Sequence, residues 1–451
     1  MNKTVVIDIV GLSSSLINEH TPFLKKYTEQ QGLSTIEPML PAVTTSVQST
    51  FVTGKWPTDH GIVGNGWYDH TDSEIKFWKQ SNKLVLAEKI WEKAKKTDPS
   101  FTCSKMFWWY NMYSGADYSV TPRPNYLADG RKIPDCYSHP AELRDELQKE
   151  LGQFPLFKFW GPATDISSTQ WIADASIYTD KKYDPTLTLI YLPHLDYCLQ
   201  KFGQDITAIA KDLAEIDKVV EQLVNHYATK KAKIILLSEY GITNVNRPVH
   251  LNRELRKNGW LQIRTERGLE LLDAGASKAF AVADHQVAHI YVNDKSLIGE
   301  IKKIIKQVPG VQLVLTKEEQ QLYHIDHERS GDLVAVADEQ SWFTYYFWLD
   351  DTKAPDYARV VDIHKKPGYD PVELFMTSKA RAGYKLLRKK LALRYVMDVI
   401  PLDATLVKGS HGRLEADKKY QAVLVADKLK DQQVKATDVY DIIWKGLTES
   451  S

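Results

Sequence analysis

Three short apolar runs constrain this chain most, because a carboxylate follows each of them at close range. Residues 4–10 form a β-branched run that holds Asp8 and stops at Gly11. Residues 186–192 empty into Pro193-His194-Leu195-Asp196, and residues 233–237 into Ser238-Glu239-Tyr240-Gly241. Runs with so little polar interruption read as strands buried on both faces, the mark of a parallel sheet covered by helices. An amphipathic helix over 206–230, apolar at Ile209, Leu213, Ile216, Val220 and Leu223, separates the second run from the third. The expected class is therefore α/β, a doubly wound, mostly parallel sheet flanked by helices, in which ligands gather at the carboxyl ends of the strands.

A chain of 451 residues suits one large α/β domain with inserted segments. We read 1–451 as that domain, 110–165 as an aromatic lid insertion and 340–400 as a second insertion. Between them, 287–292, 311–315 and 333–337 read as strands, 297–308 and 317–323 as helices, and 381–395 as a basic helix. Lys plus Arg equals Asp plus Glu at 58 each, so no polycationic surface points to a nucleic acid polymer. No run approaches the roughly 20 apolar residues that span a bilayer, so no membrane is expected as a partner. Met1 leads straight into the first strand without a signal-peptide pattern, which makes the cytoplasm the expected location. Cys103, Cys136 and Cys198 are odd in number and widely spaced, and read as reduced thiols.

The chemistry concentrates in Pro41-Ala42-Val43-Thr44-Thr45-Ser46, which opens an apolar helical run closed by Gly54. That pattern presents a hydroxyl at a helix N-terminus, where free N–H groups favour a phosphate. Thr44 is the hydroxyl chosen. Hydroxyl clusters at such positions ordinarily serve as N-caps, and what distinguishes this one is the company of Asp8, Asp196, Glu239 and a histidine in Gly409-Ser410-His411-Gly412.

These segments, together with His60-Gly61-Ile62, Asn65 and Tyr68-Asp69, resemble the alkaline phosphatase superfamily, and within it the nucleotide pyrophosphatase/phosphodiesterase branch. The similarity runs in one order from residue 4 to about 426. It implies two divalent ions, with zinc expected and manganese or magnesium as alternatives, a phospho-threonine intermediate on Thr44, and a small phosphate ester as substrate. It also implies the ligands: Asp8, Thr44, Glu239 and Tyr240 for one ion, and Asp196, Gln200 and His411 for the other. Asn65 would donate its amide N–H to a non-bridging phosphate oxygen.

Three positions depart from the pattern, with Glu239 where the family has Asp, and Tyr240 and Gln200 where it has His. An amide oxygen is a poorer zinc ligand than imidazole, and a phenol must ionise before it can serve. A replacement is sought among His194, His250, His285, His327 and His364, of which His364, in a glycine–proline loop, is the choice. Asn65 in place of a cationic clamp favours a diester over a monoester. Phosphomonoester or phosphonate hydrolysis on the same scaffold, and a degenerate non-catalytic binding protein, are the competing readings.

Overall fold

The computed structural model describes residues 1–391, 393–427 and 429–449. Its centre is a nine-stranded sheet in the order Gln433–Lys435, Ser34–Glu37, Ala422–Val425, Lys233–Leu237, Thr4–Ile9, Leu187–Leu192, Cys103–Met106, Tyr118–Pro122 and Cys136–His139. Five of the eight pairings are parallel, and three are antiparallel. The fold is mixed α/β, mostly parallel at its core.

Strand periodicity divides the interior in two. Val5, Ile7 and Ile9 face one apolar cluster, which takes in Trp171 and Ile172 of helix Ile166–Tyr183 and Ile209, Leu213, Ile216 and Val220 of helix Ile206–Thr229. Val6 faces the other, with Val47 and Phe51 of helix Thr44–Thr53 and Val439 and Ile443 of helix Asp438–Thr448. Helices thus cover both faces of the sheet. In the parallel register Asp8 lies level with Tyr191 on one neighbour and Leu237 on the other, which sets the loops after both strands beside it.

Between the sheet's two halves the chain builds a second layer. Ala279–Asp284, Val287–Val292, Leu333–Ala337 and Val311–Thr316 form a four-stranded antiparallel sheet. The alternation expected over 279–337 missed its first strand, an Ala-Phe-Ala-Val-Ala-Asp run. The segment expected as a second insertion, 340–400, packs on this layer. Trp342, Phe343, Tyr345, Tyr346, Phe347 and Trp348 are all buried there, each side chain worth about 2 kcal/mol of transfer free energy.

Part of the segment expected as a lid, 110–165, forms the edge of the central sheet, and part is helical, over Ala141–Leu151 and Leu156–Phe159. Tyr118–Pro122 and Cys136–His139 join the central sheet, and the two-residue strands Asn125–Tyr126 and Lys132–Ile133 pair as a small exposed hairpin between them. Its aromatic density reflects packing: Trp108 is buried, and Phe107 meets Phe154, Phe159 and Trp171. Beyond Asn65 the chain enters a strand, Gly66–Asp69, paired with Glu74–Phe77. Of the basic helix expected over 381–395, Lys379–Lys390 is helical, and Ala392 lies outside the described residues. Among the described residues no helix is long and apolar enough to cross a membrane.

Candidate active site

Every residue of helix Thr44–Thr53 is buried. Its hydroxyls turn back on the helix itself, Ser49, Thr50 and Thr53 each donating to the carbonyl four residues earlier. That leaves Thr44 at the first helical position with its hydroxyl 2.8 Å from the Tyr240 hydroxyl. One turn on, Gln48 points the same way. Its amide donates to Glu239 Oε1 at 2.6 Å and to Asp8 Oδ2 at 3.3 Å, while its carbonyl accepts from the Trp109 N–H at 2.8 Å.

Asp8 and Glu239 are thereby held together, both of them buried. Burial and the neighbouring Glu239 charge push the Asp8 carboxyl well above its ordinary range, and burial raises Glu239 as well. Burial likewise lifts Asp196, in the first turn of helix His194–Phe202, to about 7. Gln200 sits one turn below and donates its amide to Asp196 Oδ2 at 2.8 Å. The Gln200 carbonyl accepts from Tyr369 at 2.9 Å, so in this arrangement its oxygen is occupied.

His411 Nδ1 lies 2.7 Å from the Ala42 carbonyl, which makes it the donor nitrogen. Burial drives this imidazole down to about 3, so it is neutral, and Nε2 carries the lone pair 3.8 Å from Asp196 Oδ1. The Tyr240 ring lies flat on it, centroids 3.6 Å apart and planes within 8°. Tyr240 is a buried neutral phenol, its pKa raised further by burial.

The second layer enters at the tip of its hairpin. Asp284 and Val287 are the last pair, with His285 and Gln286 between them. His285 takes the left-handed conformation, φ 59°, uncommon outside glycine and found where the surroundings over-determine it. Here the Gln286 N–H donates to the His411 carbonyl and the Phe343 N–H to the His285 carbonyl. The His285 ring packs 3.7 Å from both His411 and Tyr369. Asp284 takes both hydrogen bonds of Asn65, the backbone N–H at 2.7 Å and the side-chain amide at 3.0 Å. The Asn65 carbonyl in turn accepts from Thr45 N at 3.1 Å. Burial raises Asp284 to about 7 against the pull of those two donors.

Asp8, Thr44, Glu239, Tyr240, Asp196, Gln200 and His411 are thus linked to one another by direct contacts, and Asn65 reaches the start of the Thr44 helix. His364 is the departure. It is exposed, with Nδ1 3.3 Å from the Phe77 carbonyl, while its loop sends Tyr369 inward, anchored by buried Lys366 at 2.7 Å from both Asp370 and Glu373. The histidine that joins His411 is His285. His194 turns instead to Asp212 and Glu215, and His250 to Thr344. Gln48, Asp284 and Tyr369 were not singled out from sequence.

A metal or a pair of metals can be tested against these atoms. Asp8 Oδ1, Glu239 Oε2, Asp196 Oδ1, His411 Nε2 and His285 Nδ1 are all buried and have no hydrogen-bond partner. Five such atoms in one site are far outside the ordinary complement of unpaired buried polar groups, and all five are ligand types for divalent cations. The residues fit a cation site.

The central sheet and the carboxylates gathered at its strand ends define a mixed α/β protein with a candidate cation site. The model of the family "Type I phosphodiesterase / nucleotide pyrophosphatase" matches residues 4–370, and the chain belongs to that family of hydrolytic enzymes. Ectonucleotide pyrophosphatase/phosphodiesterase 2 of Saccharomyces cerevisiae is 26% identical over 263 residues, covering 54% of this chain and 48% of that protein. An uncharacterised pyrophosphatase/phosphodiesterase of Schizosaccharomyces pombe is 25% identical, covering 56% and 47%. The chain thus spans about half the length of the curated relatives it matches.

Two solved structures share the fold across nearly the whole chain. Murine ectonucleotide pyrophosphatase/phosphodiesterase 5, in an inactive form in complex with AMP, superposes with a TM-score of 0.60 at 15% identity, covering 100% of this chain and 96% of that one. Phosphonoacetate hydrolase from Sinorhizobium meliloti, in complex with phosphonoformate, gives 0.61 at 14% identity, covering 99% and 96%.

Proposed function

We propose that this protein is a divalent-metal-dependent hydrolase that cleaves a phosphodiester or pyrophosphate bond of a small substrate, using Thr44 as nucleophile. The observation that carries the reading is the set of five unpartnered buried ligand atoms around a hydroxyl at a helix N-terminus. Asp8, Glu239, Thr44 and Tyr240 would hold one ion, and Asp196 and His411 the other. His285 takes the role that sequence reading gave to His364. Bound ions would neutralise the substrate phosphate and favour the alkoxide of Thr44.

The chain's own groups divide the remaining work. Tyr240, 2.8 Å from Thr44, fixes the hydroxyl's direction and shares its proton. Thr44 Oγ1 forms the bond to phosphorus as the ester bond to the leaving group breaks, and water later displaces the threonine. The Asn65 amide spends one proton on Asp284 and keeps a second for a phosphate oxygen. Asp284 is a positioning residue that holds this amide in place.

The oxygen-rich half favours magnesium or manganese over zinc. Elemental analysis combined with turnover of bis-p-nitrophenyl phosphate tests the whole. Metal at up to two equivalents per chain, with activity abolished in Thr44→Ala, is the expected result. Full metal-dependent turnover by Thr44→Ala would sink it.

One observation favours a second reading, a binding protein without turnover. The Gln48 amide already spans Asp8 and Glu239, and the Gln200 amide already binds Asp196, so protein N–H groups serve two of the carboxylates. That reading requires one equivalent of metal or none, together with no measurable hydrolysis.

A further inference from the structure

Helix Lys379–Lys390 differs from the other long helices in having no buried residue. Helices this short are marginal in water and ordinarily owe their stability to an apolar face packed against something. An apolar face exists here, but it is turned outward. Tyr384, Leu387 and Leu391 follow at spacings of three and four, which stacks them in one stripe. Ala382 is the residue that touches the core, and Arg381 and Lys385 reach Asp398 at 2.5 and 2.7 Å. Residues two positions apart on a helix are turned by about 200°, so the side anchored through Ala382 lies nearly opposite Tyr384.

The exposed apolar surface continues past the helix. Among the described residues, six of the fifteen large hydrophobic side chains left exposed are Tyr384, Leu386, Leu387, Leu391, Leu393 and Val396. The same stretch concentrates charge in a chain that is neutral overall. From Phe375 to Met397 there are seven lysines and arginines and no carboxylate. Lys379, Arg388, Lys389, Lys390 and Arg394 make no ion pair among the described residues. The excursion is pinned at its base, where the Thr377 N–H donates to the Val399 carbonyl at 2.8 Å, and Val399 and Ile400 are buried.

We infer that residues 379–391 and 393–396 are a docking surface for an anionic lipid bilayer, which the protein touches without spanning. An apolar stripe between unpaired cations fits the plane where acyl chains meet phosphate headgroups, with lysine and arginine stems lying along the apolar surface and their charges among the phosphates. A protein partner would need a face shaped to match this helix and its tail. A bilayer needs no matching shape.

Co-sedimentation of the full chain with vesicles decides the matter. It should pellet with phosphatidylcholine vesicles containing phosphatidylserine, remain in solution with phosphatidylcholine alone, and be released by salt. The doubles Leu387→Ser/Leu391→Ser and Lys389→Glu/Lys390→Glu should each weaken binding at least about tenfold. Both should keep the parent's melting temperature and its turnover of soluble bis-p-nitrophenyl phosphate, if any, because neither pair touches the Thr44 site. Failure to pellet with anionic vesicles at low salt, or binding untouched by either double, overturns the assignment. So does self-association of the parent in sedimentation equilibrium that the leucine double abolishes, since the stripe would then serve a protein contact.

Discussion

Around Thr44 the candidate ligands are oxygens, those of Asp8, Glu239 and Tyr240, and the first two stand on neighbouring strands or just beyond them. Around Asp196 the candidates include two imidazoles, and one of them, His285, comes from the antiparallel layer instead of the central sheet. The two halves therefore differ in which elements hold them as well as in donor type. The oxygen half is fixed by strand register and by Gln48, while the imidazole half depends on a hairpin tip docking against the Gly409–Gly412 loop. Hard cations suit the first and borderline ones the second, so one ion type need not fill both.

The largest expected effect removes the hydroxyl shared by substrate and oxygen half. Thr44→Ala should lower kcat by about a thousandfold or more, while metal bound by the imidazole half persists in elemental analysis. Asn65→Ala should cost about a hundredfold in kcat with little change in metal content, as expected for a lost hydrogen bond to the transition state. His285→Asn sharpens the comparison more directly. Cation affinity should fall by about tenfold to a hundredfold for one equivalent only, measured by titration with a chelator; equal loss from both sites would show that the halves are one unit. Gln200→His should shift the imidazole half towards zinc by about tenfold, read by competition between zinc and manganese.

The smallest effect concerns pH. Asp284 is raised to about 7 in the folded chain, so between its unfolded value near 4 and pH 7 the native state binds the extra proton. Its contribution to stability is complete below the unfolded value and is lost as pH rises through 7. Asp284→Asn should remove that loss, so the melting temperature of the variant, relative to the parent, should climb by a few °C between pH 5 and 8. A difference independent of pH would mean that the carboxylate stays ionised across this range.

The sheet was legible because its strands are uninterrupted apolar runs, and periodicity alone placed 233–237 and 206–230 within a residue of the observed elements. The strands at 34–37, 422–425 and 433–435 were missed because they are four residues or shorter and gain their pairing from the rest of the sheet. In the site, the residues carried by the resemblance are the ones the structure links. Gln48 could have been found from its spacing, one turn beyond Thr44 on the same helix. Asp284 could not, because its role arises from a turn whose first strand, 279–284, reads as an undistinguished small-residue run; His285 stood among the candidate histidines, with nothing in the sequence to rank it above His364. His364 was chosen among the histidines for its glycine–proline loop, yet that loop sends Tyr369 inward instead, anchored by buried Lys366 and its two carboxylates.

Thr243–Asn244 and Gly409–Ser410 pair with each other as the chain leaves the central sheet and as it returns. The long excursion between them is therefore a closed detour, stapled at its neck and free to vary beyond it. A short turn joining 244 to 409 would spare every strand that carries Asp8, Asp196 and Glu239, yet delete Asp284, His285 and Tyr369 together. The neck thus delivers Asp284, His285 and Tyr369 to the site as one unit, while Asp8, Asp196 and Glu239 arrive from the central sheet.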